Sequence, residues 1–497
     1  MMKRVIVVDQ GTTGTKSYTL DIEGHFSLCH SAAQHQIYPR PGWVEQDPEE
    51  LLQNVLECIE AAGDGHAIGI DNQGETVIAW DSVSGMPIYN AIVWQDQRTL
   101  NCIERLKADG AEELTLERAG LPLDPYFSAS KLRWLMDHSP GAKKLLKEGR
   151  LRLGTSESFF LYRLTGAYVT DVTTASRTSL MNLRTCTWDP DLCHLFRIPI
   201  EILPEIHPTT DYFGSLKLGG RDIPIVCSIV DQQAALFGHG CYENGQEKVT
   251  FGTGAFALVN TDGKLQSDRA SGTLSTVAWQ LKGEEVVYAV DGGVYCAGSA
   301  VTWMKNLGLF NDISEIDHFE EPPAISRALV FVPALSGLAC PYWDRSAVGL
   351  WLGMGLDTTK TDLCQAVLEG IALRTAQVLD AISTLTGKHQ RLSVDGGLTN
   401  NRYFCQFLAD VTQREIVVPA SPDITSLGTG RFALLGSRLA KTIPDLPEAS
   451  PPKTVLSPTK DLSQFRSLFE EAVKRCRNWK GAKIFREVSY ERKRVSI

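Results

Sequence analysis

The chain has 497 residues, of which 43% are hydrophobic and 22% charged, and its formal net charge is −10. That length exceeds one ordinary core and calls for two or more domains, and that composition is of the soluble globular kind. The negative balance argues against nucleic acid as a partner, because nucleic acid selects clustered positive charge.

The first apolar run, Val5-Ile6-Val7-Val8, stops at Asp9. It is too short for the apolar core of a secretory signal, and no later run reaches membrane-spanning length, so a cytoplasmic location with no membrane contact is expected. Gly11-Thr12-Thr13-Gly14 follows and reads as a tight turn between two strands. Such a turn leaves backbone N–H groups open to a ligand, and threonine hydroxyls add donors. A carboxylate such as Asp9 beside a phosphate cradle makes electrostatic sense with a cation between them. Magnesium is commonly held by one or two carboxylates plus phosphate oxygens. The simpler alternative for Asp9 is an Asx turn at a strand end.

Ala67-Ile68-Gly69-Ile70 leads into Asp71-Asn72-Gln73, and Thr76 to Trp80 reads as the next strand. Ile223 to Val226 leads through Ser228-Ile229-Val230 to Asp231. Strands punctuated by helical patterns indicate an α/β protein. Asp231 stands at a strand-to-helix junction, where it is either an N-cap or a general base for an attacking hydroxyl. Near residue 245 the same grammar restarts: Val249-Thr250-Phe251, Gly252-Thr253-Gly254, then Ala255 to Val259. Two such hairpins, each opening one half of the chain, suggest a duplicated domain gripping a phosphate chain from both sides.

Beyond it, Val367, Leu368, Ile371, Val378, Leu379 and Ile382 keep helical spacing. Asp395-Gly396-Gly397 forms a strand-to-helix turn, where a helix N-terminus favours an anion; Asn401 could equally serve as a plain N-cap. Phe404, Phe407, Leu408 and Val411 mark one face of the helix that follows. Pro444 to Pro458 holds five prolines and reads as a loop. Leu462, Phe465, Phe469, Ala472 and Cys476 form a last amphipathic helix, and Tyr490 to Arg494 reads as a solvated tail. The twelve cysteines are scattered with no Cys-x-x-Cys, as reduced thiols would be. Neither a P-loop string nor the dinucleotide-binding glycine spacing occurs.

Taken together, the two Gly/Thr hairpins, the Asp-Gly-Gly turn and the strand-end Asp231 resemble the FGGY carbohydrate kinases, most of all the glycerol kinases. Supporting strings are Pro41 to Pro48, Tyr89 to Thr99, Asp124 to Ser128, Thr170-Asp171 with Ala175 to Thr178, Asp231 to Gly238, and Pro341 to Asp344. The resemblance implies two actin-like (ribonuclease H-like) α/β domains with an ATP cleft between them. The expected divisions are residues 1–243, residues 244–442, and a C-terminal segment over 443–497. It implies ATP- and magnesium-dependent phosphorylation of a polyol or sugar hydroxyl. By the same resemblance Asp231 matches the catalytic base and Asp9 the magnesium-side carboxylate. Thr12, Thr13 and Lys16 match the first phosphate loop, Gly252 and Thr253 the second. Gly298, Thr302, Gly397 and Asn401 match nucleotide-contacting positions. Glu75, Tyr126, Asp231 and Gln232 match groups that hydrogen-bond the polyol, and Trp94 and Phe256 an aromatic wall along its carbons. Homodimers are frequent in the family, so a homodimer is the expected assembly.

Two positions depart from the glycerol kinase pattern. Asn72-Gln73-Gly74-Glu75-Thr76 carries glycine where those enzymes usually have an arginine that hydrogen-bonds two glycerol hydroxyls. Loss of such a charged bond costs roughly 1.5–3 kcal/mol, about tenfold to a hundredfold in affinity or specificity. Gly74 also opens volume, so a polyol longer than glycerol, such as erythritol or threitol, is expected to fit. Lys16 replaces an arginine, keeping the charge but losing the planar fork. Leu216 to Asp222 does not reproduce the glycine-rich loop with which some glycerol kinases bind a sugar bisphosphate inhibitor. Two other readings rank lower. A ketopentose kinase such as a xylulose kinase would usually carry Gly-Gln-Met-His-Gly where Asp71 to Glu75 stands, and an actin- or chaperone-like binding protein has no use for the polyol-binding set.

Overall fold

The computed structural model describes residues 3–266, 271–421 and 423–479. Two mixed sheets form its two halves, and both follow one strand order. In the first, Arg4–Gln10 pairs antiparallel with Gly14–Asp21, which pairs antiparallel with Phe26–Ala33. On its other side Arg4–Gln10 runs parallel to Ile68–Asn72, and that strand runs parallel to Arg221–Val230. In the second sheet Glu247–Phe251 pairs antiparallel with Ala255–Asp262, which pairs antiparallel with Val287–Val294. On the far side it runs parallel to Arg391–Gly396, and that strand to Glu415–Val418. Both Gly/Thr turns therefore join the central strand of a sheet to its antiparallel neighbour.

The first strand shows how sequence sets packing. Successive side chains of a strand point to opposite faces. Ile6 and Val8 pack with Leu51, Val55 and Ile59 of helix Pro48–Ala62. Val5 and Val7 share a core with Phe432, Ala433 and Leu434 of helix Ile424–Gly436. A strand covered on both faces needs an unbroken apolar run, and Val5 to Val8 supplies one. Helix Pro48–Ala62 starts where Asp47 accepts the Glu49 N–H at 2.9 Å and Pro48 opens the first turn.

The two halves interlock at their middle. Helix Asp231–Gly238 follows the last parallel strand of the first sheet, and helix Ile424–Gly436 comes after the second sheet's Glu415–Val418. They cross each other, with Phe237 stacked on Phe432 at 3.9 Å between ring centroids. Glycine permits the crossing: a Cβ on Gly428 would collide with Ala234 O, and one on Gly238 with Ile424 O. Helix Ile424–Gly436, encoded within the stretch 244–442, thus packs on the first sheet.

Val77–Asp81 is a strand as expected, in a smaller four-stranded sheet with Glu45–Gln46, Ala91–Ile92 and Leu151–Thr155. One local expectation changes. The proline-rich stretch is not all loop: Thr454–Leu456 pairs antiparallel with Glu415–Val418 and closes the edge of the second sheet. Its prolines flank the paired residues, a placement an edge strand tolerates. The last helix among the described residues is Phe465–Cys476, and the segment Tyr490 to Arg494 lies outside them. All twelve cysteines are free. Among the described residues no helix is long and apolar enough to cross a membrane.

Candidate active site

Two cavities adjoin at the second hairpin, a smaller one between the halves and a larger one lined by residues of the second half. The smaller, of about 240 Å³, is lined by Thr12 and Thr13 of the first turn and by Gly252 and Thr253 of the second. Gly74, Glu75, Trp94, Tyr126, Asp231, Gln232 and Phe256 complete its walls, so every residue matched to the polyol lies here. The larger, of about 750 Å³, is lined by Gly252, Thr253, Gly298, Thr302, Gly397 and Asn401, with Trp303, Ile313 and Leu368 giving an apolar floor. Gly252 and Thr253 border both cavities, so the second hairpin is where they meet.

Asp231 is the first residue of its helix, with Val230 as the cap, and its Oδ1 accepts the Gln232 N–H at 2.6 Å. Burial pushes its carboxyl up to about 7, with the charges of Glu75 and Asp9 adding to the rise and the Lys248 ammonium opposing it. A base that changes state near neutrality suits proton abstraction from an alcohol. Lys248 is buried and donates to Gln232 Oε1 at 2.7 Å and Thr250 Oγ1 at 3.0 Å. That bond occupies the Gln232 carbonyl and leaves its amide N–H groups for a ligand.

Glu75 sits in the turn between Ile68–Asn72 and Val77–Asp81 with φ of 59°, a left-handed conformation uncommon for a non-glycine residue. Arg177 keeps it there, its Nε donating to Glu75 Oε1 at 2.8 Å, while its Nη2 lies 3.0 Å from Asp291 Oδ2. Trp94 donates through Nε1 to Thr12 Oγ1 at 3.0 Å. Tyr126 and Phe256 meet its ring edge-on, at 5.8 and 6.4 Å between centroids. Those three rings come from both halves and offer apolar faces to C–H groups. Burial and the neighbouring Glu75 hold the Tyr126 phenol protonated. Its segment is pinned by buried Lys131, which donates to the carbonyls of Pro125, Tyr126 and Phe127 at 2.9, 2.5 and 3.0 Å. At Gly74 a Cβ would find only the Val230 methyls, at 3.2 and 4.0 Å.

Asp9 makes no Asx turn. It lies inside its strand, in register with Asp71 on the parallel neighbour, and accepts the Ser426 hydroxyl at 2.9 Å. Thr429 donates to Asp71 Oδ2 at 2.6 Å, while Asp71 Oδ1 is buried without a partner among the described residues. Burial and the charge of Asp9 push the Asp71 carboxyl well above its usual range. Two adjacent carboxylates with an orphaned oxygen suit a hard divalent cation that takes its other ligands from phosphate and water. Among the described residues no three His, Cys, Asp or Glu side chains could hold a metal by themselves.

Asp9 and Lys16 line neither cavity; the Lys16 ammonium is tied to Asp423 Oδ1 at 2.7 Å. Asn401 lines the larger cavity, yet its amide is spent on structure: Oδ1 caps Phe404 N–H and Nδ2 donates to Ile316 O, both at 2.7 Å. Sequence reasoning missed Arg177, Asp291, Lys248 and Asp71 as site residues. Asp291 had one available signal, a single charge in an otherwise uncharged strand run, whereas Lys248 follows Glu247 in its strand and does not stand out. Arg177 stood inside the family string Ala175 to Thr178, but its role had no local signal, because its partners lie 102 and 114 residues away, as Glu75 and Asp291 (177 − 75 and 291 − 177).

Residues 4–238 match the N-terminal domain of the FGGY family of carbohydrate kinases, and residues 248–437 match its C-terminal domain. The chain belongs to the FGGY family of carbohydrate kinases. It is 40% identical over 455 residues to a glycerol kinase of Citrifermentans bemidjiense, covering 89% of this chain and 92% of that protein. It is 38% identical over 497 residues to a glycerol kinase of Thermococcus kodakarensis, covering 96% and 98%. Its fold superposes on the crystal structure of Plasmodium falciparum glycerol kinase with ADP at a TM-score of 0.86, with 31% identity over 96% of this chain and 98% of the other. In this FGGY kinase, two halves with one strand order are the two family domains, and the chain is a glycerol-kinase-like, ATP-dependent carbohydrate kinase.

Proposed function

We propose that this kinase transfers the γ-phosphoryl group of ATP to a terminal hydroxyl of a small neutral polyol bound in the 240 Å³ cavity. The observation that carries the reading is the meeting of the two cavities at Gly252 and Thr253, with Asp231 in the wall of the smaller one. The nucleotide belongs in the larger cavity, over Gly298, Thr302, Gly397 and Asn401. Thr12, Thr13, Gly252 and Thr253 take the phosphates from two sides. Asp9, with Asp71 beside it, would hold magnesium, which supplies charge neutralisation at the phosphates. Asp231 accepts the proton of the attacking hydroxyl. Glu75, Tyr126 and Gln232 orient the polyol, and Trp94 and Phe256 cover its carbon chain, excluding water that would otherwise be the acceptor.

Charge supports a neutral substrate. The cavity wall carries Glu75, Asp231 and Asp291 against Arg177. A sugar acid would bring a further carboxylate to that wall, which like-charge repulsion disfavours. Gly74 supports a polyol longer than glycerol, with four carbons, since no guanidinium fills that corner. ADP formation with glycerol, erythritol, threitol and xylulose tests the reading. A four-carbon polyol is expected to give the highest kcat/KM. A clear glycerol preference would remove the longer polyol, a xylulose preference would transfer the assignment to a ketopentose, and ADP release indifferent to all four would end the polyol-kinase reading.

A further inference from the structure

We infer that Arg177 and Asp291 form a hydroxyl-binding subsite that fits this kinase to a polyol with four hydroxyls, an inference that rests on the polyol-kinase reading above. Arg177 follows helix Val172–Ser176 in the first half, and Asp291 lies in strand Val287–Val294 of the second, so the subsite spans the two halves. Both residues line the smaller cavity, and both are at least nine-tenths buried, 4% and 6% exposed. Their contact runs through a single rung, Nη2 to Oδ2 at 3.0 Å. Arg177 Nη1 and Asp291 Oδ1 are buried with no hydrogen-bond partner among the described residues. An unmade bond at a buried charged group is costly, so such a pair calls for a partner. Nη1 can only donate and Oδ1 can only accept. A hydroxyl does both, so it is the substrate group that suits this pair.

The inventory of the cavity leads to the same number. Asp231 Oδ1 is taken by the Gln232 N–H, which leaves Oδ2 for the reacting hydroxyl. Gln232 Oε1 is taken by Lys248 and Glu75 Oε1 by Arg177. Donors left for the substrate are Gln232 Nε2, the Tyr126 hydroxyl and Arg177 Nη1; acceptors are Glu75 Oε2, the Tyr126 oxygen and Asp291 Oδ1. These groups fall in three places, at Gln232, at Tyr126 with Glu75, and at Arg177 with Asp291, and one hydroxyl at each, with the reacting one, makes four. Glycerol leaves one of these places empty. The bare backbone at Gly74 supplies room for the fourth carbon.

The test compares erythritol with butane-1,2,3-triol, which has the same carbon chain and lacks one terminal hydroxyl, and with glycerol. The wild-type enzyme is expected to prefer erythritol over the triol by about tenfold or more in kcat/KM, because a polar site rejects an analogue that leaves its groups unpaired. Asp291→Asn presents a donor where an acceptor stood, so the preference should fall below about threefold, with the loss carried by the erythritol KM. Arg177→Lys keeps the charge, removes the fork and should erase the same preference, with thermal-shift melting reporting whether each variant folds. A wild type that does not separate erythritol from the triol overturns the subsite, and this comparison decides even where neither variant folds. Variants that slow all three alcohols equally also overturn it, reducing the pair to a structural ion pair. Polyol-dependent ADP formation without discrimination removes the subsite alone; ADP formation independent of any polyol removes the underlying reading as well.

Discussion

Asp231 shows how environment turns an ordinary carboxyl into a base. In water it would be ionised well below neutrality. Here burial disfavours the charged form, Glu75 and Asp9 add repulsion, and its carboxyl changes state at about 7. The ionised form is the active one, so kcat/KM is expected to be flat above pH 7 and to fall about tenfold per unit below it. A profile flat down to pH 5.5 would contradict that assignment. Replacement by Ala or Asn should lower turnover by about a hundredfold or more while ADP affinity, read by calorimetry, holds. Near-normal turnover in those variants would free Asp231 of the role. The sequence made Asp231 a candidate through its place at the end of an apolar run. It did not disclose Lys248 and Arg177, whose importance lies in what they touch: Gln232 in one case, Glu75 and Asp291 in the other.

The hairpins and their neighbouring helix work as elements. Gly252 O accepts the Gly298 N–H at 3.0 Å, and Thr253 O accepts those of Ala297 and Ser299 at 3.0 and 3.1 Å. The second phosphate turn is thereby bound to the start of helix Gly298–Asn306. A Cβ on Gly298 would lie 2.5 Å from Gly252 O, closer than van der Waals contact allows. Gly298→Ala must push the turn away from the helix, at about 1–3 kcal/mol for such overpacking. It is expected to weaken ADP binding by roughly tenfold or more, with much smaller change in the polyol KM. Unaltered ADP affinity would show that the turn takes no part in holding nucleotide. Both hairpins were legible in the sequence, because β-branched runs around Gly/Thr pairs leave few alternatives. Thr454–Leu456 was not, since three residues among prolines acquire strand geometry only from Glu415–Val418, some 36 residues earlier (454 − 418).

At the scale of the whole molecule, the substrate cavity exists only where the halves approach. One bond between the halves stands apart. Arg345 of the second half forks onto Asp124 of the first, at 2.7 and 3.1 Å, and stacks over the Tyr295 ring at 3.9 Å. Asp124 lies two residues from Tyr126, whose N–H it accepts at 2.9 Å. The fork therefore holds the polyol wall and closes the halves together. Arg345→Ala removes a largely buried charge-assisted pair, about 1.5–3 kcal/mol. It should raise the polyol KM by about tenfold and increase the share of ATP hydrolysed without phosphorylated product. Unchanged coupling between ADP and product would show that closure does not depend on this contact.

Apolar periodicity and glycine-bounded turns determined the α/β character, the doubled plan and the two phosphate turns, because those depend on neighbours close along the chain, while the polyol-binding set was legible only through resemblance to the family. Which acid faces which base depended on contacts between residues far apart along the chain, and so did the crossing of helices Asp231–Gly238 and Ile424–Gly436 and the Arg177–Asp291 pair. Burial and charge at those contacts arise only when both halves are folded together, and they decide protonation and specificity in this kinase.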